Sequence, residues 1–311
     1  MNGTLSTSDR RRALLAILLA AVLWSAGGVL IKSVDWHPAA IAGMRSAIAS
    51  VVLWCLFRNM HLTRSRYQIG GALTYAAMVT LFVVATKLTT AANAIFLQYT
   101  APVHVALFSR WFLNERVTKS DIAIIAITLC GMGLFFLDRL TFFGFWGNIA
   151  AIVSGMAFAW TCLLVRREGE DTVEPLFLGN VLAALIGLPF MFGPGPGPDL
   201  VGWLTLIVLG VFQLGFSYAL FSYAMKHLPA LEVILISTIE PILNPLWVLL
   251  FLGELPGKWA LIGGAVVVIS VTLKGVMSVR QLPPARPTGI SADITAPYPA
   301  FQDVAIKKSK L

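Results

Sequence analysis

Apolar residues run almost without interruption through long stretches of this 311-residue chain and are separated by short polar connections. An α-helix needs about 20 such residues to cross a bilayer core about 30 Å thick. A membrane β-barrel strand would instead alternate polar and apolar positions. Ten stretches meet the helical requirement, at roughly 13–34, 37–57, 68–88, 91–112, 120–137, 145–166, 174–192, 201–225, 229–252 and 258–278. The connections are short, so neighbouring helices run antiparallel. The pattern predicts an all-α integral membrane protein with ten transmembrane helices.

The same pattern occurs twice, at a constant spacing of 139 residues. Lys87, Pro102, Leu107, Phe112-Leu113, Glu115 and Lys119 in the first copy match Lys226, Pro241, Leu246, Phe251-Leu252, Glu254 and Lys258 in the second, without a gap. Chance agreement in an apolar chain would repeat the apolar letters but not the Pro, Glu and Lys as well, so an internal duplication is expected. Five helices per copy is an odd number, so the second copy enters the membrane upside down relative to the first. Inverted repeats of this kind place a substrate site near the midplane, where the halves meet around a central cavity. The expected organisation is a cytoplasmic segment at 1–12, a first repeat at 13–139, an inverted second repeat at 140–278 and a disordered basic cytoplasmic tail at 279–311.

Composition agrees with this picture: 58% of residues are hydrophobic and 12% charged, against roughly 25% charged in a soluble domain. The net charge of +8 would suggest nucleic acid in a soluble protein, but here it follows the positive-inside pattern. With the N-terminus inside, Lys32, Lys87, Arg139 and Lys258 fall outside and Arg45 lies within a span. Every other Lys and Arg is cytoplasmic, as are both termini. The expected partners are therefore a small-molecule substrate and the lipid bilayer, with no nucleic acid; the oligomeric state stays open, and a monomer is compatible.

The run from 13 to 34 exceeds a signal-peptide core and should remain in the mature protein. Cys55, Cys130 and Cys162 each sit in an apolar span and form no C-x-x-C pair, so no disulfide framework or zinc site is implied. GPGPGPD at 193–199 reads as a stiff external turn. Gly27-Gly28, Gly131 with Gly133, and Gly263-Gly264 permit close helix approach.

An ionisable residue inside a span is a functional candidate by default. Glu240 lies about ten residues into the ninth span, roughly 15 Å deep. With Pro241 and then Asn244-Pro245 beside it, the helix should bend and free backbone carbonyls. Its carboxyl can bind an amine, take up a proton, or simply tie helices together. Arg45 is about 12 Å deep, and a charge there costs about 2.5–3.5 kcal/mol unless it is paired or hydrated. It either pairs with Glu240, holds a substrate carboxylate, or anchors to backbone carbonyls. His104, two residues after Pro102, is a proton carrier or a satisfied hydrogen-bonding residue. Gln98, Tyr99 and Asn93 precede it on the same helix, Tyr99 on the face of Pro102. Trp24, Tyr75, Trp160, Tyr218 and Tyr223 lie mid-span, away from the interfaces where such residues usually concentrate. Each can serve ordinary packing; as a set they favour a flat, aromatic or cationic ligand.

WSAGGVLIK at 24–32, HPAAIAGMR at 37–45, the Pro102–Glu115 stretch ending FLNE, and IEPILNPLWVLLFLGE at 239–254 resemble the drug/metabolite transporter superfamily, in its ten-helix exporter type with two EamA domains. The likeness covers about 13–278. It implies a basket of ten helices in a bacterial inner membrane, with a cavity lined by the first, third, fourth, sixth, eighth and ninth helices and supported by the fifth and tenth. It also implies export of small metabolites by alternating access, with the exporters of aromatic amino acids the most similar branch.

The expectation is a secondary transporter without cofactor or metal. Its candidate substrate residues are Trp24, Arg45, Tyr75, Tyr99, Pro102, His104, Trp160, Tyr218, Glu240 and Asn244. Broad drug or metabolite efflux by proton antiport, or a channel-like facilitator, are the alternatives. No HExxH, nucleophile–base pair or facing aspartates support an enzyme, and no GxxxxGK[ST] loop supports direct use of ATP. The two copies differ at Ala101 against Glu240, His104 against Leu243 and Val105 against Asn244, which are the places to look for specific chemistry.

Overall fold

The computed structural model describes residues 7–137, 144–169, 172–193, 196–243 and 258–280, all in helices and their connections, with no strand among them. The helices are α1 Thr7–Ser25, α2 Gly27–Ser33, α3 Pro38–Leu56, α4 Arg66–Leu88, α5 Ala91–Gln98, α6 Ala101–Phe112, α7 Lys119–Phe136, α8 Phe145–Glu168 and α9 Glu174–Met191. They continue with α10 Leu200–Val208, a π-helical stretch Leu209–Phe216, α11 Ser217–His227, α12 Ala230–Ser237 and α13 Lys258–Arg280. Six described helices are long and apolar enough to cross a membrane: Ser8–Ser33, Pro38–Leu56, Arg66–Leu88, Phe145–Glu168, Glu174–Met191 and Leu200–His227. Their outward faces carry bare apolar side chains, such as Leu15, Leu73, Leu185 and Leu204, as a hydrocarbon surround requires. The protein is thus a multi-pass helical membrane protein. The ninth predicted span is described only as far as Leu243, and Asn244, Pro245 and the FLGE motif lie outside the described residues.

Polar residues in the connections start the helices. The side chains of Ser65, Thr90 and Asp199 accept from the backbone N–H of Gln68, Asn93 and Gly202, and Thr118 with Asp121 forms a capping box at α7. Each such cap gives an acceptor to one of the orphan N–H donors of a first turn, worth about 1 kcal/mol. The motif FLNE ends α6 because Asn114 adopts φ +56°, a left-handed conformation that asparagine and glycine tolerate and that closes a helix. Gly253 occupies the matching position of the second copy.

Close packing follows small residues. A Cβ on Gly187 of α9 would lie 2.5 Å from the Ala39 carbonyl oxygen of α3, so these two helices touch backbone to backbone. Helices α7 and α13 pack on each other, joined by Lys274 Nζ to Asp121 Oδ1 at 2.6 Å and by Thr128 to Ser270 at 2.9 Å.

Two spans are broken at equivalent points. Between α5 and α6 the helix is interrupted at Tyr99–Thr100, and after α12 at Thr238–Ile239 before helix resumes at Glu240. The tightened bonds are the same in both: Thr100 N–H to Leu97 O and Val103 N–H to Thr100 O in one, Ile239 N–H to Ile236 O and Ile242 N–H to Ile239 O in the other. Each pair is related by the 139-residue spacing of the sequence repeat. Pro102 and Pro241 are the cause, since each removes the N–H that would have bonded four residues back and crowds the carbonyl there.

Candidate functional site: a polar cavity between broken helices

Trp24, Arg45, Met78, Val79, Phe82, Gln98, Phe158, Gln213, Leu214, Tyr218 and Glu240 line a cavity of about 30 Å³. That volume holds a water molecule or two but falls about tenfold short of an ordinary ligand site of about 300 Å³ or more. A metabolite therefore fits only after the surrounding helices move apart. The lining comes from the first, third, fourth, sixth, eighth and ninth predicted spans, with Arg45 added from the second.

Pro241 deprives the Ser237 carbonyl of its helical donor, and the Tyr99 hydroxyl takes the vacant place at 2.8 Å. The same hydroxyl is hydrogen-bonded to Glu240 Oε2, so the two broken spans meet through one phenol. On the other side, Pro102 frees the Gln98 carbonyl. Gly155 of α8 packs against it so closely that a Cβ there would lie 2.6 Å from the oxygen. The Gln98 side chain donates to Ser154 Oγ at 2.8 Å, which itself donates to the Met78 carbonyl at 2.9 Å.

Arg45 is 1% exposed. Its Nη1 donates to Gln213 Oε1 at 3.1 Å and its Nη2 to the Val79 carbonyl at 2.9 Å. It makes no ion pair with Glu240, although both line the cavity. Its Nε and the indole Nε1 of Trp24 are buried donors with no acceptor among the described residues. Buried donors are nearly always satisfied, so these mark the cavity as a place for an acceptor group. Gln213, which holds Arg45, sits in the π-helical stretch, an arrangement frequent at functional sites. Room for its amide exists because Gly27 has no side chain: a Cβ there would stand 2.8 Å from Gln213 Nε2.

The aromatic residues form one cluster. Trp24 lies 5.0 Å from Tyr218, 5.7 Å from Phe221 and 6.3 Å from Phe158 between ring centroids. Tyr75 backs Tyr218 edge-on at 4.8 Å and accepts from Asn180 Nδ2 at 3.0 Å. Of the candidates named from sequence, Trp24, Arg45, Tyr218 and Glu240 line the cavity, while Tyr75 and Tyr99 are fully buried directly behind it. Pro102 acts on the backbone. His104 donates from Nδ1 to Thr100 O at 3.1 Å within its own helix and stands away from the lining. Trp160 packs on Phe108 and Phe112 at 5.2 and 5.6 Å, also away from it. Asn244 lies outside the described residues. Gln213, Met78, Phe82 and Phe158 escaped the sequence reading. An uncharged amide in an apolar run, flanked by Gly210 and Gly215, was the available signal for Gln213.

Both ends of the bundle are tied by charged groups. Lys32 Nζ donates to Thr89 O at 2.8 Å, and Lys87 Nζ donates to Val34 O. At the opposite end Arg166 donates to the Met225 and Lys226 carbonyls at 2.6 and 2.9 Å and pairs with Glu115 at 3.2 Å. Glu115 also accepts from Ala230 N–H at 3.2 Å. Arg10 pairs with Glu232 at 2.6 Å nearby. Burial pushes the Glu115 carboxyl above the usual glutamate range, against the opposing pull of Arg166.

The chain is 30% identical to an uncharacterized transporter of Archaeoglobus fulgidus, across 83% of this chain and 94% of that one. It is 26% identical to the pseudopaline exporter CntI of Pseudomonas aeruginosa, across 84% and 94%, and 25% identical to the threonine/homoserine exporter RhtA of Escherichia coli K12, across 77% and 83%. A solved crystal structure superposes with a TM-score of 0.74 at 21% identity, covering 88% of this chain and all of that one, which speaks for the fold alone. The model of the EamA-like transporter family matches twice, over residues 11–137 and 145–275. A small cavity between two proline-broken spans thus sits in a chain whose relatives are named as transporters and exporters, not enzymes, and the chain belongs to the EamA-like transporter family.

Proposed function

We propose that this protein is a secondary transporter that exports small zwitterionic metabolites, amino acids above all, by alternating access in a bacterial inner membrane. Ten spanning helices would form two five-helix halves of opposite orientation, 13–139 and 140–278, with both termini cytoplasmic. The observation that carries the reading is the placing of Arg45 and Glu240 on one cavity with an aromatic cluster beside them. The free Nε of Arg45 suits a substrate carboxylate, Glu240 suits an ammonium, and Trp24, Phe158 and Tyr218 suit an apolar side chain. The exporters of pseudopaline and of threonine and homoserine among the relatives support small-metabolite export. The equivalent breaks at Tyr99–Thr100 and Thr238–Ile239 support the two-half architecture. Both broken spans contribute to the site, as discontinuous helices do in transporters built from repeats.

Proton antiport is the second reading, favoured by hydrogen-bond counting. The Tyr99 hydroxyl has one proton and stands against two acceptors, Ser237 O and Glu240 Oε2. A proton on Glu240 satisfies both contacts. Release of that proton as substrate ammonium arrives would couple the two fluxes.

The test is efflux of labelled phenylalanine, tryptophan, methionine and threonine from liposomes loaded with each and containing purified protein. Flux of at least one, saturable and above that of protein-free liposomes, is expected. Flux of none would remove the amino acid reading. Efflux of the aliphatic pair alone would remove its aromatic part.

A further inference from the structure

The first span is jointed. Helical regularity lapses at Ala26, and Gly27–Ser33 follow as the separate seven-residue helix α2. No proline stands there to cause it. The Ser25 hydroxyl instead donates back to the Val22 carbonyl at 2.6 Å, and Gly27-Gly28 follows; serine back-bonding and Gly/Ser pairs both bend helices. The joint comes directly after Trp24, on the edge of the central cavity. Gln213, the partner of Arg45, lies against it at Gly27.

The far end of α2 is fastened to α4 by two crossed bonds. Lys32 of α2 donates to the carbonyl of Thr89, the C-cap of α4, at 2.8 Å, and Lys87 of α4 donates to the carbonyl of Val34, the C-cap of α2. Each cation thus sits at the C-terminus of the other helix, where positive charge is favoured. Between joint and fastening, α2 buries Ile31 and packs on α4, α5 and the π-helical stretch. On α4, Met78, Val79 and Phe82 line the cavity and Lys87 lies beyond them; on α5, Gln98 lines it and Ala91 begins the helix at that same end. Therefore α2 is the part of the first span that lies between the cavity and this end of the bundle.

The opposite end is fastened in a corresponding way. Arg166, near the end of α8, donates to the Met225 and Lys226 carbonyls at the end of α11 and pairs with Glu115. Lys226 stands 139 residues after Lys87, so both fastenings act on the ends of corresponding helices.

We propose that α2 is a lid over one end of the substrate passage, swinging on the joint at Ser25–Gly28 and held shut by the crossed bonds of Lys32 and Lys87, while Arg166 holds the other end shut. This rests on the alternating-access reading but not on the identity of the substrate.

The test places a reporter on the cavity wall, Met78→Cys in a C55A/C130A/C162A background, and labels it with a charged, membrane-impermeant maleimide in sealed vesicles of each orientation. The background protein should label slowly. Adding K32Q/K87Q should speed labelling about tenfold, from one side of the membrane only. Arg166→Gln should speed it from the opposite side only, and Lys87→Arg, which keeps a cation, should stay slow. Lys32→Gln alone, at an exposed position, should give about a threefold increase and serves if the double variant fails to fold. Labelling of K32Q/K87Q as slow as the background, while Arg166→Gln admits the reagent, would overturn the lid and leave alternating access standing. Entry from the same side in both variants, or from both sides at once in either, would overturn the lid and that reading together.

Discussion

The Tyr99 hydroxyl caps the Ser237 carbonyl at 2.8 Å, supplying to one broken span the hydrogen bond that Pro241 removes from it. The donor comes from the equivalent break in the first copy of the sequence repeat, so that interruption has a structural use for the other. Tyr99→Phe keeps the ring and removes the donor. It should lower stability by about 1–3 kcal/mol through the stranded buried carbonyl, read as a lower thermal midpoint in detergent. An unchanged midpoint would mean that another donor replaces it.

Gln213→Leu removes the acceptor that Arg45 Nη1 uses at 3.1 Å. A hydrogen bond to a buried charge contributes about 1.5–3 kcal/mol, so thermal unfolding should show a loss of that size. Because Arg45 then loses its fixed orientation, substrate affinity should fall more than maximal rate. Gln213→Glu keeps an acceptor and should retain stability better than Leu.

Gly155→Val tests the close approach of α8 to the freed Gln98 carbonyl. With the Cβ 2.6 Å from that oxygen, the helices must separate, at a cost of about 1–3 kcal/mol. Transport should fall while the protein stays folded, because the break at Tyr99–Thr100 is held against α8 at this point. Gly133→Val is the control, since a Cβ there meets no neighbour within 4 Å.

Glu115 should make stability depend on pH. Burial raises its carboxyl above the ordinary value of 4.5, so the folded state binds this proton more tightly than the unfolded state. Stability from this group is present below the ordinary glutamate range and is lost as pH rises through the raised value. Relative to Glu115→Gln, wild type should therefore lose thermal stability as pH increases from about 4 towards neutrality. A difference between the two that is flat across that range would contradict the assignment.

Much of this was readable in the sequence because membranes impose simple rules. Apolar runs of spanning length gave helix positions to within a few residues, and Pro241 marked a bend in the ninth span; the matching break before Pro102 emerges only in the structure. Ionisable residues within spans led to Arg45 and Glu240, since burying a charge in hydrocarbon demands a reason. His104 and Trp160 drew attention by the same logic but satisfy themselves locally, and no sequence rule separates a buried residue facing a cavity from one facing a neighbouring helix. Gln213 was missed because an uncharged amide carries a weaker signal, and the π-helical stretch has no propensity signature in LGVFQLGF. The contact of Tyr99 with Ser237, 138 residues apart, depends on how the two breaks face each other, which single-chain periodicity does not encode.

The most direct test of the central claim, that Arg45 and Glu240 receive the two charges of a zwitterion, is competition in proteoliposomes. Uptake of a labelled amino acid that the protein carries would be challenged by the same amino acid, its amide and its N-acetyl derivative. The unmodified compound should compete, and each derivative, lacking one charge, should compete at least tenfold less well, as expected when a buried charge is left unpaired. Equal competition by all three would contradict the account.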